Sequence, residues 1–207
     1  MTYRQKRKVF DWCKSPESAK QMFEVFLIMR QLHEMLWYMT EALTLQKAYP
    51  LHEAIRYMLD DTERLTYLSP DYLLKLDIPE HREKVNVLLI KTSELVRAEI
   101  RHDNISKLGY KRTLGQSADL IGADLRNIDL RGANLRNAYL IAADLRGNDL
   151  SGTDFIGADF RDADLKGADL TESIFLTQDQ LNSAKGDANT KIPPSITRPK
   201  HWGTFKK

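Results

Sequence analysis

The chain has a single cysteine, Cys13, among its 207 residues. A lone thiol cannot close an internal disulfide, and it cannot build a cysteine-based zinc site within one chain. A chain with only one cysteine is typical of a reducing compartment, so we expect a cytoplasmic protein.

Long uncharged apolar runs are also missing. A membrane-spanning helix needs about 18 or more such residues, and even the most apolar stretch, residues 22–45, is interrupted by Glu24, Arg30, Glu34 and Glu41. The opening residues MTYRQKRKVFDW are basic, but no apolar segment or small-residue cleavage site follows them. We therefore expect neither a membrane span nor a secretory signal.

Signatures of catalysis are absent as well. The His-Glu pairs at 33–34 and 52–53 begin like a zinc-protease helix, but Trp37 and Arg56 stand where the second histidine would be needed. No serine lies in a nucleophile elbow, and no glycine string matches a phosphate loop. We expect a protein that is not an enzyme and that has no catalytic residue, metal site or cofactor.

What the sequence does contain is a repeat of five residues. From Ala118 to Thr177 it reads ADLIG ADLRN IDLRG ANLRN AYLIA ADLRG NDLSG TDFIG ADFRD ADLKG ADLTE SIFLT. A period of five fits neither an α-helix nor a simple strand, so each unit must turn and the chain must wind. The small residue two before the centre and the central residue can both point inward.

The centre of every unit is leucine or phenylalanine, which predicts the core of the repeat. These twelve positions are Leu120, Leu125, Leu130, Leu135, Leu140, Leu145, Leu150, Phe155, Phe160, Leu165, Leu170 and Phe175. The pattern A-(D/N)-L-x-x resembles the pentapeptide-repeat family. That resemblance implies a right-handed quadrilateral β-helix with four units to a coil, hence three coils here.

Helical patterns fill the first half. Ser15-Pro16-Glu17 predicts a helix start, and apolar residues recur at helical spacing up to Tyr49 and Pro50. A second helix is expected at residues 51–68, a short one after Pro70, and a fourth at 80–102, together forming a small bundle. The first helix also carries Phe23, Leu27, Trp37 and Tyr38 on its other sides, which allows either a central position or pairing with a second chain.

The fold class expected is therefore α+β, with a helical bundle followed by the short β-helix. We expect a bundle at residues 1–110, a junction at 111–117, the repeat at 118–177, and a capping helix with a tail at 178–207. Thr177 and Gln180 fit a capping box, and Gly186 fits a helix end. LTQDQL, KGD, IPP and RPKHW resemble the closure that follows many pentapeptide repeats, with Trp202 folding back onto the repeat.

The charge distribution bears on function. Residues 118–177 hold 6 basic and 11 acidic side chains, whereas the flanking segments are mildly basic. Some pentapeptide-repeat proteins imitate DNA and bind type II topoisomerases, but those rods are long and acidic, and here arginines interrupt the negative surface. We expect a non-enzymatic protein–protein interaction or scaffold module. The alternatives are a DNA mimic that binds topoisomerase and, further off, an unrecognised enzyme activity in the helical domain.

Five residues predict where the repeat makes contact. They are apolar or aromatic at outward positions: Ile121, Tyr139, Ile141, Ile156 and Leu176. Exposed apolar patches on soluble proteins mark contacts, so this corner is expected to dock on the helical domain, on a second copy in a homodimer, or on an outside protein partner. Nucleic acid is not an expected partner, and the sequence does not identify the protein that is.

Overall fold

The computed structural model describes residues 16–102 and 115–203, with side chains described at 19–100 and 115–203. Cys13, the basic N-terminal residues and most of the expected junction lie outside these ranges. The helices are α1 Pro16–Thr44, a 3-10 helix Gln46–Leu51, α2 His52–Thr66, α3 Pro70–Leu73, α4 Ile78–His102 and α5 Gln178–Ser183. No helix within these ranges is long and apolar enough to cross a membrane.

The helix boundaries follow local chemistry. Asp77 accepts a hydrogen bond from the backbone N–H of Glu80 at 2.9 Å and so starts α4. The prediction that the first helix continues to Tyr49 is wrong, because α1 ends at Thr44 and Leu45 is extended. Pro50 has no N–H to donate and disfavours α geometry at Tyr49, so the chain makes a tighter 3-10 turn before α2.

The helices share one apolar core. Its buried members include Leu32, Met35, Tyr38, Met39 and Ala42 of α1, Ile55 of α2, Leu73 of α3, and Ile78, Val85, Leu89 and Val96 of α4. α1 contacts α2, α3 and α4, and it is therefore the central helix of the bundle. One polar contact ties α2 to α4, where Thr62 Oγ1 lies 2.8 Å from His81 Nε2.

The repeat winds with a period of 20 residues. Parallel bridges join residues 20 apart, among them Asp119 to Tyr139, Asp144 to Asp164 and Asp154 to Ile174. At each regular bridge the backbone donates in both directions, as Leu120 N does to Tyr139 O and Tyr139 N does to Ala118 O, both at 2.9 Å. Each coil thus holds four units, but within the described ranges the contacts are single bridges and not continuous strands.

The coil has four sides, which we number by their units. Side 1 holds the units that begin at residues 118, 138 and 158; side 2 those at 123, 143 and 163; side 3 those at 128, 148 and 168; and side 4 those at 133, 153 and 173. Below, the coiled region is called the rod. Asp124, Asp144 and Asp164 bridge in sequence, so side 2 stacks in register, as the four-unit coil requires.

Aspartate recurs in the repeat because it completes the turn. Asp144 Oδ1 accepts a hydrogen bond from Arg146 N at 3.2 Å, and the same two-residue contact recurs from Asp119 to Asp169. This is an Asx turn, in which the carboxylate satisfies a backbone N–H that the bend would leave unpaired. Solubility alone therefore does not explain why aspartate recurs at this outward position of the repeat.

The rod core contains the central residues of the first eleven units, from Leu120, which is 8% exposed, to Leu170, which is fully buried. The last unit differs. Phe175 has φ of +60°, and this left-handed residue turns its ring into the helical core, while Leu176 enters the rod core in its place. The expectation that Phe175 belongs to the rod core and that Leu176 is at the surface is therefore corrected at both positions.

The C-terminal segment closes the rod with a partial fourth coil. Thr177 and Gln180 form the expected capping box of α5. The bridges then lengthen to Asp164 with Lys185 and Asp169 with Lys191, which places Gly186 where a central leucine would stand. A Cβ at Gly186 would overlap the indole of Trp202, which is 1% exposed and lies in the rod core. Gly186 therefore makes room for that ring and does not end α5, which stops at Ser183.

Candidate interaction surface

The five predicted surface residues divide between two sides of the rod. Ile121 and Tyr139 are 57% and 51% exposed on side 1, one coil apart, and the half-buried Ile141 lies beside them. We call Ile121, Tyr139 and Ile141 the side-1 patch. Ile156 and Leu176 belong to side 4, where Ile156 packs against the helical core and Leu176 is buried. The structure therefore does not bring the five together as one exposed corner.

Side 4 is the side on which the helices lie. Arg136 is 4% exposed, and its Nη1 donates to the fully buried Asp154 at 3.1 Å while its Nη2 donates to Asn86 of α4 at 2.7 Å. A buried guanidinium with a carboxylate and an amide oxygen has its charge compensated. These three side chains join the first two coils to the bundle of helices α1 to α4, which we call the helical body.

Sequence reasoning missed this contact, although a signal for it exists. On side 2 each arginine follows its aspartate by two residues, as Arg126 follows Asp124. On side 4 Arg136 follows Asn134, and Asp154 is followed by Ile156, so neither charge has a partner within its own unit. Two unmatched charges of opposite sign, one coil apart on the same side, indicate a pair that is covered from outside.

Glycine lets α4 approach the rod closely. Gly132 accepts a hydrogen bond from Arg97 Nε at 2.9 Å, and a Cβ on Gly132 would lie 3.3 Å from the backbone oxygen of Arg97. One coil further on, Ile100 packs directly over Gly152. Both glycines have positive φ, so larger residues would be strained there as well as crowded.

α1 reaches the last coil. Glu41 Oε1 accepts from Phe175 N at 2.7 Å, a donor that another coil would pair in a longer rod. Tyr38 stacks edge-on against Phe175 with 6.0 Å between ring centroids, and Trp37 Nε1 donates to Leu176 O at 3.4 Å. The last coil is thus closed by side chains of the helical body as well as by α5.

Two ionisable groups at this contact are perturbed. Burial raises the pKa of Glu41 to about 7, the hydrogen bond from Phe175 opposes the shift, and the negative charge of Asp154 adds to it. Burial also raises the pKa of Tyr38, helped by the charge and hydrogen bonding of Glu34. Near neutral pH the Glu41 carboxyl therefore changes its protonation state at the boundary between helices and rod.

The charges of side 2 are matched. Arg126 Nη2 lies 2.7 Å from Asp124 Oδ2 and its Nε lies 3.3 Å from Asp144 Oδ2, so one guanidinium touches two coils. Hydrogen bonds from Arg126 lower the pKa of Asp124 to about 2. Side 2 therefore presents paired charges in place of a continuous acidic stripe.

A groove of about 660 Å³ lies between the helical body and the third and fourth sides of the rod. Its lining includes Val96 and Ile100 of α4, Ile174, and the tail residues Pro193 and Pro194. Glu41 borders it, and an ion pair of Lys47 with Glu99 crosses its rim. Among the residues that the structure describes, no cluster of histidine, cysteine and acidic side chains could hold a metal ion.

Known proteins resemble this chain in its repeat and along most of its length. The family described as "Pentapeptide repeats" matches in 8 copies over residues 116–147 and 138–175. The chain is also 62% identical over 192 residues to a Bacillus subtilis (strain 168) protein named "Uncharacterized protein YybG", an alignment that covers 93% of this chain and 67% of that one. No solved structure matches the chain significantly.

Proposed function

We propose that this chain, which belongs to the family of pentapeptide-repeat proteins, is a non-enzymatic protein–protein interaction or scaffold module. In this proposal the 20-residue coils are a right-handed quadrilateral β-helix of three coils, in which each short side allows only a single bridge per unit. The helical body is fixed to side 4, and side 1 is the binding side. The location proposed for it is the cytoplasm.

The side-1 patch is the observation that carries the proposal. Ile121 and Tyr139 are more than half exposed although neighbouring outward positions of the rod are polar or charged. Exposed apolar and aromatic side chains on a rigid surface favour contact with another protein, and tyrosine is enriched at such interfaces. The partner proposed here is a protein, and its identity is open.

The two alternatives fit the geometry less well. A DNA mimic needs a continuous negative surface, whereas the aspartates of side 2 are neutralised by Arg126, Arg146 and Lys166. An enzyme in the helical body would need a polar cleft with a base and a nucleophile held together. The groove beside Glu41 is mostly apolar and lies outside the bundle core.

The test compares captured proteins by quantitative mass spectrometry from cells that naturally make this chain. The wild-type chain is used beside Tyr139→Glu. Lys166→Glu on side 2 is the control for added negative charge, because it changes the charge by two units where Tyr139→Glu changes it by one. We expect specific partners to be lost with Tyr139→Glu and kept with Lys166→Glu. Retention of the same partners by both variants would remove side 1 from the proposal.

A further inference from the structure

The first half of α1 exposes much more apolar surface than the rest of the bundle. From Ala19 to Arg30 no residue is buried, although eight of the eleven residues before Arg30 are apolar. Met22, Phe23 and Phe26 are 55–59% exposed. Further along, Leu32, Met35 and Met39 are buried in the helical core.

The exposed residues lie on the face of α1 turned away from that core, and the last of them, Trp37, also contacts the rod at Leu176 O. Val25, Ile28 and Met29 pack against the core from the opposite side. At about 100° per residue, Phe26, Arg30, Glu34 and Trp37 fall within an arc of about 80° that excludes those three. We call these four residues, together with Met22, Phe23 and His33, the outer face of α1.

The outer face is complementary to the same face running in the opposite direction. Along the helix it reads aromatic, basic, acidic, aromatic, at Phe26, Arg30, Glu34 and Trp37, almost symmetrically about position 32. A two-fold axis near that position would bring Arg30 to Glu34 of a second copy and Phe26 close to its Trp37. Self-complementarity of this kind is what an isologous two-fold interface requires.

We propose that the outer face of α1 pairs antiparallel with the same face of a second copy of this chain. The four large apolar residues Met22, Phe23, Phe26 and Trp37 still expose roughly 400 Å² of side chain, which is about half of the ~800 Å² that each partner buries in a standard interface. Glu34 remains open to such a contact because its contacts with Arg82 and Tyr38 are long, at 3.8 and 3.4 Å, and its side chain is 41% exposed.

Disulfide trapping tests the geometry of the pair. In full-length chain with Cys13→Ser, His33→Cys would put two thiols close to the two-fold axis. Phe26→Cys would leave its two copies about 18 Å apart along the helices. We expect His33→Cys to cross-link readily under mild oxidation and Phe26→Cys not to. Equal cross-linking of both indicates parallel pairing, and cross-linking of neither excludes the pair; either result would overturn the proposal.

Analytical ultracentrifugation tests the contribution of the face. We expect the wild-type chain to dimerise, and Phe23→Glu with Phe26→Glu to raise the dissociation constant roughly 100-fold or more, because two anchors are replaced by charges. The matched control is Tyr57→Glu with Tyr67→Glu, one tyrosine within α2 and one directly after it, which are 73% and 80% exposed. A wild-type chain that is monomeric at every concentration refutes the proposal, as does an equal effect of both pairs. If the Phe variant fails to fold, the cross-linking result alone decides.

Discussion

At the scale of single residues, the turns of the rod depend on left-handed backbone at the last position of most units. Glycine takes this position at Gly122, Gly147 and Gly167, but Ala142 takes it with φ of +56°. A left-handed residue with a Cβ costs about 1–2 kcal/mol, whereas glycine adopts the same conformation without that cost. The preference for glycine at this position therefore follows from the left-handed backbone conformation.

Ala142→Gly should stabilise the chain, raising its free energy of unfolding by about 0.5–1 kcal/mol, because Ala142 is exposed and loses no packing. Its neighbour Ala143 is fully buried in the rod core, so Ala143→Gly should lower the same quantity by about 1 kcal/mol or more. Urea unfolding of both variants measures the two signs. Destabilisation by Ala142→Gly would contradict the strain argument.

Glu41 predicts a pH dependence. Its pKa is raised to about 7 in the folded chain from a usual value of 4.5, so between these values the folded state holds the proton more firmly than the unfolded state. The stability that this group contributes is present below about pH 4.5 and is lost as the pH rises through about 7.

Glu41→Gln keeps an acceptor for Phe175 N but cannot ionise. We expect it to unfold at a temperature close to wild type at pH 4.5 and at a higher temperature than wild type at pH 8, because the wild-type chain then carries a buried charge there. The difference between variant and wild-type melting curves isolates Glu41 from other titrating groups such as His81. A difference that is constant from pH 4.5 to 8 would show that Glu41 does not titrate in this range.

At the scale of the structural element, the coil is stabilised by the buried central residues of its units. Leu145 is fully buried, so Leu145→Asp places a charge in the rod core and should cost more than about 4 kcal/mol, enough to unfold the rod. Asp144→Ser should cost less than about 1 kcal/mol, because serine still offers an oxygen to Arg146 N and the lost ion pairs are exposed. Thermal melts compare the two, and similar losses would refute the assignment of inward and outward positions.

Much of this element could be predicted, because a strict period of five repeats one geometry eleven times and each central residue meets the same environment. The period gave no sign of the change at Phe175. There the left-handed residue is stabilised by Glu41 and Tyr38, which lie more than 130 residues earlier in the chain, and by the rest of the helical core. The prediction misses the end of α1 for a different, local reason, because Pro50 redirects the backbone into a 3-10 helix before α2.

At the scale of the whole molecule, Arg136 pairs with Asp154 of the next coil and also donates to Asn86 of α4, so this buried pair lies where the helical body meets the rod. Removing one partner leaves the other buried without a counter-charge, so Arg136→Met or Asp154→Leu alone should lower stability by about 3 kcal/mol. The double variant replaces the pair with apolar groups and should be more stable than either single variant. A thermodynamic cycle from urea unfolding measures the coupling between the two charges, and additive losses would mean that Arg136 and Asp154 do not act as a pair.

The candidate surface shows where sequence reasoning ends. The repeat pattern correctly marks Ile121 and Tyr139 as outward, because outwardness is set by position within the unit. Whether an outward residue is covered depends on which side the helices occupy, and that follows from Asn86, Arg97 and Ile100, residues without a distinctive pattern of their own. Ile156 is therefore covered and Ile121 is not, although both have the same place in the repeat.

The contacts of the helical body along sides 3 and 4 also limit how this protein can evolve. Repeat proteins usually change length by duplicating units, since each repeat touches only its neighbours. Here α4 meets Gly132 in the first coil and Gly152 in the second, while α1 meets Phe175 in the third. An inserted coil would move Phe175 about 4.8 Å from Glu41 unless the helices lengthened with it. The helical body therefore fixes the number of coils that the rod can have. Related proteins that keep the helical body should vary the sequence of the coils and conserve their number.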